Sequence, residues 1–134
     1  MSEETYTMSF RVWHPTESSK SVMDAIGLIA RFSQSVGEPR ANPNGQSLEG
    51  TYKETYCSFM LAKKKSGYFL EGVNEAIPLL SEKRDYLKKI RDGGGRMDLF
   101  IGVFIDASLG FVLTTAEMYS LSELGIDLSV EFHV

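Results

Sequence analysis

The sequence predicts an α+β domain, and three observations lead to this class. From Thr5 to Trp13, apolar and polar residues alternate, as in a strand with one buried face. Residues 69 to 91 carry apolar side chains at helical spacing. Met97 to Val134 contains a strand, a short helix and a final alternating strand. Because the 134 residues contain no internal repeat and no long linker, residues 1–134 are predicted to form a single domain.

The N-terminal part predicts a strand, a helix and a second strand. One face of the first strand carries Tyr6, Met8, Phe10 and Val12, and the strand ends at His14-Pro15. Ser and Thr residues within Thr16–Lys20 can cap a helix whose apolar stripe consists of Val22, Met23, Ile26 and Ile29. Gly27 is a candidate C-cap, which leaves the end of this helix open. Arg31–Gly37 is predicted as a short strand.

The middle of the chain predicts a long loop followed by a third strand. Glu38–Gly50 is rich in Pro, Asn and Gly, with a turn at Asn44-Gly45. Thr51–Leu61 is predicted as a strand, and Lys63–Gly67 as a loop. The strand has Cys57, Phe59 and Leu61 on one face and Tyr52, Glu54, Tyr56 and Ser58 on the other.

The helical pattern of residues 69 to 91 contains one proline. Pro78 lacks an N–H and clashes with the preceding turn, so a kink or break is expected near Pro78–Ser81. Gly93-Gly94-Gly95 is predicted to end the helix.

The C-terminal segment has the clearest local signals. Leu99, Ile101 and Val103 share one face of a strand. Thr114 and Glu117 have the spacing of a capping box, and Gly125 is the expected end of that helix. Ile126–Val134 alternates, and it is expected in the same sheet as the strand before it. The complete order is a ferredoxin-like βαββαβ core with a mostly antiparallel sheet, extended by a C-terminal helix and strand.

Four segments together resemble the uncharacterised bacterial family called domain of unknown function 4279. They are Tyr6–Pro15, Gly37–Arg40, Gly93–Gly102 and Leu121–Leu128, so the resemblance extends over nearly the whole chain. A Trp is common in that family near the position that Cys57 holds here. The resemblance implies the same fold order and a bacterial cytoplasmic setting, and it implies no activity, cofactor or catalytic residue.

Charge and composition exclude several classes of protein. The net charge is −4, with a basic middle segment and an acidic segment, 97–134, that has six carboxylates and no Lys or Arg. Nucleic-acid binding is not expected, because such domains usually carry a basic stripe. No apolar run has the ~20 residues of a membrane helix, so no membrane partner is expected. The single cysteine and the acidic, polar N-terminus favour the cytoplasm.

The sequence offers little catalytic chemistry. Cys57 faces inward on its strand, and His14 and His133 are expected at the surface, so a Cys–His nucleophile is not favoured. The glycine run at 93–95 follows a helix, whereas a phosphate-binding loop precedes one. No metal-ligand motif is present in the sequence, and we predict no catalytic residue, no metal site and no cofactor.

A binding surface is the main functional prediction. The sheet face opposite the helices is expected to carry Arg11, Trp13, Tyr52, Glu54, Tyr56, Phe100 and Phe104. Such a face either lies beneath Glu38–Gly50 or Ala107–Leu113, or it contacts a partner. We therefore expect a non-enzymatic cytoplasmic interaction protein that binds itself, as a homodimer, or another protein. Two alternatives stay open: an immunity-type inhibitor that binds a basic toxin through segment 97–134, and a small-molecule or enzymatic site under the 38–50 loop.

Overall fold

Four helices and seven strands follow one another in the computed structural model, which describes residues 4–134. The helices are α1 (Ser19–Ile26), α2 (Phe69–Ser81), α3 (Arg84–Asp92) and α4 (Thr115–Leu124). The strands are β1 (Thr5–His14), β2 (Phe32–Gln34), β3 (Pro39–Ala41), β4 (Ser47–Thr51), β5 (Thr55–Ser66), β6 (Arg96–Phe104) and β7 (Ile126–His133).

Five strands form one sheet in the order β2-β5-β1-β6-β7. All neighbours are antiparallel except β6 and β7, which are parallel. The predicted α+β class and mainly antiparallel sheet are therefore confirmed. The strand order differs from a plain βαββαβ chain, because the β3-β4 hairpin is inserted before β5 as a separate two-stranded sheet and β7 is added beside β6.

The hydrophobic core lies between one face of this sheet and the helices. Strict alternation along β1 buries Tyr6, Met8, Phe10 and Val12 on this side, as predicted. On β6, Leu99 and Ile101 are fully buried while Phe100 is half-buried, which confirms the predicted register. Each large apolar side chain buried here contributes roughly 1.5–3 kcal/mol, so a slip of one residue would be strongly destabilising.

Helix α1 begins and ends at the predicted caps. The Ser18 hydroxyl accepts a hydrogen bond from the Ser21 N–H, and Gly27 adopts the left-handed conformation at φ 80°. Ile29 lies beyond this cap, is 92% exposed and takes no part in the apolar stripe.

The long helical segment is broken slightly later than predicted. Pro78 lies inside α2, which continues to Ser81, and the break falls at Glu82-Lys83 before α3 begins. Gly93 then ends α3, as expected.

The region around β5 contains three corrections. The predicted loop at Lys63–Gly67 is mostly strand, because β5 continues to Ser66 and pairs with the start of β1 across two register shifts. Lys64 has a positive φ of 46° within this irregular stretch. The strand begins at Thr55, not Thr51, and the predicted 38–50 loop is largely the β3-β4 hairpin, with its turn at Asn44-Gly45.

The C-terminal unit agrees with its prediction in detail. Thr114 and Glu117 form both hydrogen bonds of the capping box, and Gly125 is the left-handed C-cap at φ 71°. Strand β7 pairs with β6 in the same sheet.

Candidate functional site

The sheet face turned away from the helices, hereafter the open face, contains most of the predicted binding residues. Cross-strand pairing places Trp13 beside Tyr56 on β5 and beside Arg96 on β6. The next pair along the same face places Arg11 beside Asp98. Alternation along three adjacent strands therefore gathers these side chains at one end of the open face.

An ion pair lies at the centre of this group. The Nε atom of Arg11 donates to Oδ1 of Asp98 over 2.8 Å, and Nη2 donates to Oδ2 over 2.5 Å. The Ser129 hydroxyl of β7 donates to the same Oδ2 over 2.9 Å. This hydrogen bonding to Asp98 raises the pKa of the Arg11 guanidinium, so Arg11 is a fixed positive charge. Because Asp98 is only 5% exposed, the pair is partly shielded from water.

Aromatic rings enclose this ion pair. The guanidinium carbon of Arg11 lies 4.9 Å from the centre of the Trp13 ring and 4.3 Å from that of Phe100. The guanidinium carbon of Arg96 lies 4.3 Å from the Trp13 ring, and the Trp13 and Tyr56 rings are 5.3 Å apart. These distances are within the range of cation–π and tilted aromatic contacts.

We call the connected group the Arg11 cluster. It consists of Arg11, Trp13, Glu54, Tyr56, Arg96, Asp98 and Phe100, in which Glu54 joins through an ion pair of 3.2 Å with Arg96. Five of the seven residues predicted from the sequence are therefore brought together.

The other two predicted residues lie elsewhere. Phe104 is at the far end of the open face, where its ring stacks on His133 at 4.8 Å and the Lys64 amine lies 5.4 Å above it. Tyr52 is not on the open face, because β5 begins only at Thr55. Its hydroxyl donates to the Ala41 carbonyl and accepts from the Ala41 N–H, which ties it to the hairpin.

Sequence reasoning missed three members or partners of this cluster. Arg96 and Asp98 share the parity of Phe100 on β6, and Ser129 has the matching position on β7. The alternation of β6 and β7 could have placed these residues on the open face. Their contacts with Arg11 and Trp13 depend on which strands are neighbours in the sheet.

Neither segment expected to cover the open face does so. Phe111, in the connection before α4, packs against Phe69 and Phe132 at 5.3 and 6.1 Å, which places that connection on the helix side of the sheet. Every residue of β3 and β4 is exposed, so the hairpin is not packed onto the sheet. The Arg11 cluster is left half-exposed, with Phe32 beside it at 60% exposure.

The candidate nucleophile Cys57 and the candidate base His14 are both buried, and each has another hydrogen-bond partner. Cys57 is fully buried, and this burial raises its pKa to about 11, so it is a thiol at neutral pH. His14 is only 3% exposed, so the prediction that it lies at the surface is wrong. Its Nδ1 accepts hydrogen bonds from the N–H groups of Thr16 and Glu17. Within residues 4–134, no group of three or more His, Cys, Asp or Glu side chains is arranged to hold a metal ion.

Three of the six acidic residues in segment 97–134 already have internal side-chain partners, and one of them is Glu131, whose Oε2 lies 3.5 Å from Nε2 of His133. Asp98 binds Arg11, and Glu117 accepts hydrogen bonds from Thr114 and Asn74. The backbone hydrogen bond from Thr114 is the main reason that the pKa of Glu117 is lowered. Basic helix α3 also contacts this segment, where Arg91 donates to the Glu123 carbonyl over 3.2 Å. The segment is therefore less free to bind a basic toxin than its composition indicates.

The 38–50 segment lies beside a solvent-exposed cavity. A cavity of about 340 Å³ borders the hairpin, and its lining residues, from Arg40 to Lys53, are exposed or half-buried.

A membrane-crossing helix is absent from the described part of the chain, where no helix is both long and apolar enough. Comparisons with protein-family models, curated proteins and solved structures found no match to this chain.

Proposed function

We propose that this chain is a non-enzymatic interaction protein whose open face is its contact surface. One observation carries the proposal: the Arg11 cluster is half-exposed and lies beneath neither the hairpin nor the connection before α4. Aromatic and arginine side chains are the residues that interface centres favour. The protonated, buried thiol of Cys57 supports a binding role over nucleophilic catalysis.

The size of the open face suits a second copy of this chain. Five strands at ~4.8 Å spacing and about eight residues at ~3.3 Å each give a face of roughly 600 Å² per copy. Two such faces bury on the order of 1,200 Å², which reaches the usual lower limit for a specific interface.

The charges of the open face support self-association. Lys64 lies on the β5 side, whereas Asp127 and Glu131 lie on the β7 side. A two-fold axis parallel to the strands places the β5 side of one copy against the β7 side of the other. Because this axis keeps each residue at its position along the strands, Lys64, which lies beside Phe104, then comes near Glu131 of the other copy. The aromatic rings meet near the axis.

Sedimentation velocity over a concentration series tests this proposal. We expect a wild-type dimer, and we expect Trp13→Ala to raise its Kd at least 30-fold, because truncating a central anchor costs about 2 kcal/mol or more. Tyr119→Ala is the matched control, since Tyr119 is a 64% exposed aromatic on α4, outside the open face. A wild-type chain that stays monomeric, or equal effects of both substitutions, would contradict the proposal.

Three further expectations belong to this proposal. One is a ferredoxin-like core, which would consist of strands β2, β5, β1 and β6 with helices α1, α2 and α3. The order of these four strands and their antiparallel pairing support it. The likeness to the domain of unknown function 4279 family and the bacterial cytoplasmic setting depend on the sequence segments given above. An experimental structure with a different strand order would contradict the first of these.

A further inference from the structure

The outer edge of β7 differs from the other sheet edge in length and surroundings. Strand β7 has eight residues, whereas β2 at the opposite edge has three. In the described range, 4–134, no strand pairs with the outer side of β7. Long unpaired edges are usually shortened or covered, because their free N–H and C=O groups accept another strand.

The pairing with β6 shows which backbone groups of β7 are free. The His133 carbonyl accepts a hydrogen bond from the Ile105 N–H, so the backbone polar groups of His133 face β6. Since these groups alternate in direction along a strand, those of Leu128, Val130 and Phe132 face outward. They form a row of three donors and three acceptors at every second residue.

Two cavities border β7 on the helix side of the sheet, one at each end. The first, of about 410 Å³, lies between Leu128 and residues Leu113 and Met118, and Ser122 and Asp127 also line it. The second, of about 570 Å³, lies between Phe132 and residues Leu109 and Phe111. Phe132 follows Leu128 by four positions, a distance of about 13 Å along the strand. An added strand would therefore present apolar side chains to both cavities.

The open-face side of the same strand is acidic. Asp127 and Glu131 are exposed there, and the surrounding segment, 97–134, contains no Lys or Arg. Antiparallel pairing of β7 with β7 of a second copy would gather four carboxylates on one side of the sheet, which is unfavourable. A basic strand would instead be attracted.

We propose that the edge of β7 binds an extended peptide of a partner protein, in which Lys or Arg residues alternate with β-branched apolar residues. The peptide extends the sheet through the outward groups of Leu128, Val130 and Phe132. Its apolar side chains enter the two cavities, and its basic side chains meet Asp127 and Glu131. Main-chain bonds of this kind give affinity, and alternate side-chain pockets give sequence preference.

The primary test uses the peptide Lys-Val-Thr-Val-Lys-Val-Thr and amide hydrogen exchange of the folded chain. We expect the peptide to slow exchange at the amides of Leu128, Val130 and Phe132 by at least tenfold. Exchange at Ser129 should change little, because that amide already faces β6. The matched peptide with Glu in place of Lys should give no protection. Unchanged exchange at all three amides with the basic peptide at about 1 mM would overturn the proposal.

Substitutions separate the backbone and charge contributions. Val130→Pro removes the central outward N–H and should abolish saturable peptide binding, whereas Val130→Ala should change Kd less than threefold. The pair Asp127→Lys and Glu131→Lys should weaken binding at least tenfold. The pair Asp24→Lys and Glu49→Lys makes the same charge change elsewhere and should not. If Val130→Pro does not fold, the exchange result on the wild-type chain still decides.

Two other outcomes would overturn the proposal. One is peptide binding that is as strong in the Val130→Pro chain as in wild type. The other is protection of the same amides that rises with protein concentration alone, which would mean that β7 pairs with β7 of a second copy. Because Trp13 lies outside β7, Trp13→Ala should retain peptide binding, so this proposal can stand if the open-face dimer fails.

Discussion

A double-mutant cycle on Arg11 and Asp98 tests whether this ion pair organises the open face. Arg11→Met removes the charge while keeping a long side chain between Trp13 and Phe100. It leaves the Asp98 carboxylate, whose side chain is 8% exposed, with only the Ser129 hydroxyl as a side-chain partner. Breaking a fully buried pair costs about 3–5 kcal/mol; since the Arg11 side chain is 24% exposed, we expect about 2–3 kcal/mol here.

The second substitution and the double mutant complete the cycle. Asp98→Asn keeps the shape and a hydrogen-bond acceptor but leaves Arg11 unpaired, at a cost of about 1–2 kcal/mol. The double mutant leaves no unpaired charge, so its cost should be below the sum of the two single costs by about 1–2 kcal/mol.

Urea unfolding at pH 7 measures these costs, provided that the slope m is the same for all four chains. The pKa of Arg11 is raised by its hydrogen bonds to Asp98, so the stabilisation is fully present below the ordinary arginine pKa. It is lost only as the pH rises through the raised value, and pH 7 therefore reports all of it.

The exposed pair Lys20–Asp24 is the matched control, with side chains that are 82% and 67% exposed. Its cycle, Lys20→Met with Asp24→Asn, should give a much smaller coupling that falls with added salt. A coupling for Arg11–Asp98 that equals the control would refute the view that the pair is shielded and structurally important.

Three further predictions concern other parts of the fold. Thr114→Ala should lower the free energy of unfolding by about 1 kcal/mol through loss of the capping-box acceptor, and Thr114→Ser should restore most of it; equal stabilities in urea would count against the box. Cys57, with a pKa of about 11, should react with a disulfide reagent at pH 7.5 only after unfolding, so prompt reaction of the folded chain would contradict its burial. Gly125→Ala should cost more than Gly45→Ala, because both have positive φ but only the added Cβ of the first would meet the Arg91 side chain; equal shifts in urea midpoint would exclude that contact.

Elements with complete local signals were predictable from the sequence. Strand β1 alternates without interruption, and α4 has its capping box and its C-terminal glycine. In each case the local preference and the tertiary packing favour the same structure. Such elements could be located from a single sequence, and the structure confirms them.

The errors fall where pairing decides the structure. A local pattern that includes Lys63 to Ser66 looks like a loop, but pairing with the start of β1 satisfies its backbone and draws it into β5. Alternation also predicts that this strand begins at Thr51, whereas β5 begins only at Thr55. The β3-β4 hairpin ends just before Tyr52. The Tyr52 hydroxyl donates a hydrogen bond to the Ala41 carbonyl of this hairpin, so Tyr52 does not lie on the open face.

The candidate site was predicted as a face but not as a network. Parity along one strand identifies Arg11 and Trp13 as neighbours on the same side. It does not identify Asp98, 87 positions away, as the partner of Arg11, because that contact depends on which strand lies beside β1. The contacts of the charged residues on β6 therefore depend on the sheet order, which alternation along a single strand does not predict.

The Arg11 cluster is organised before any partner arrives, and this has an energetic consequence. Ordering a free arginine at an interface costs about 0.5–1.5 kcal/mol of side-chain entropy. Here Asp98 and two aromatic rings already fix the Arg11 guanidinium in the folded chain. The side chain therefore loses this entropy on folding and not on binding. In the contact that we propose for the open face, rigid aromatic anchors and a fixed charge would raise affinity without adding area.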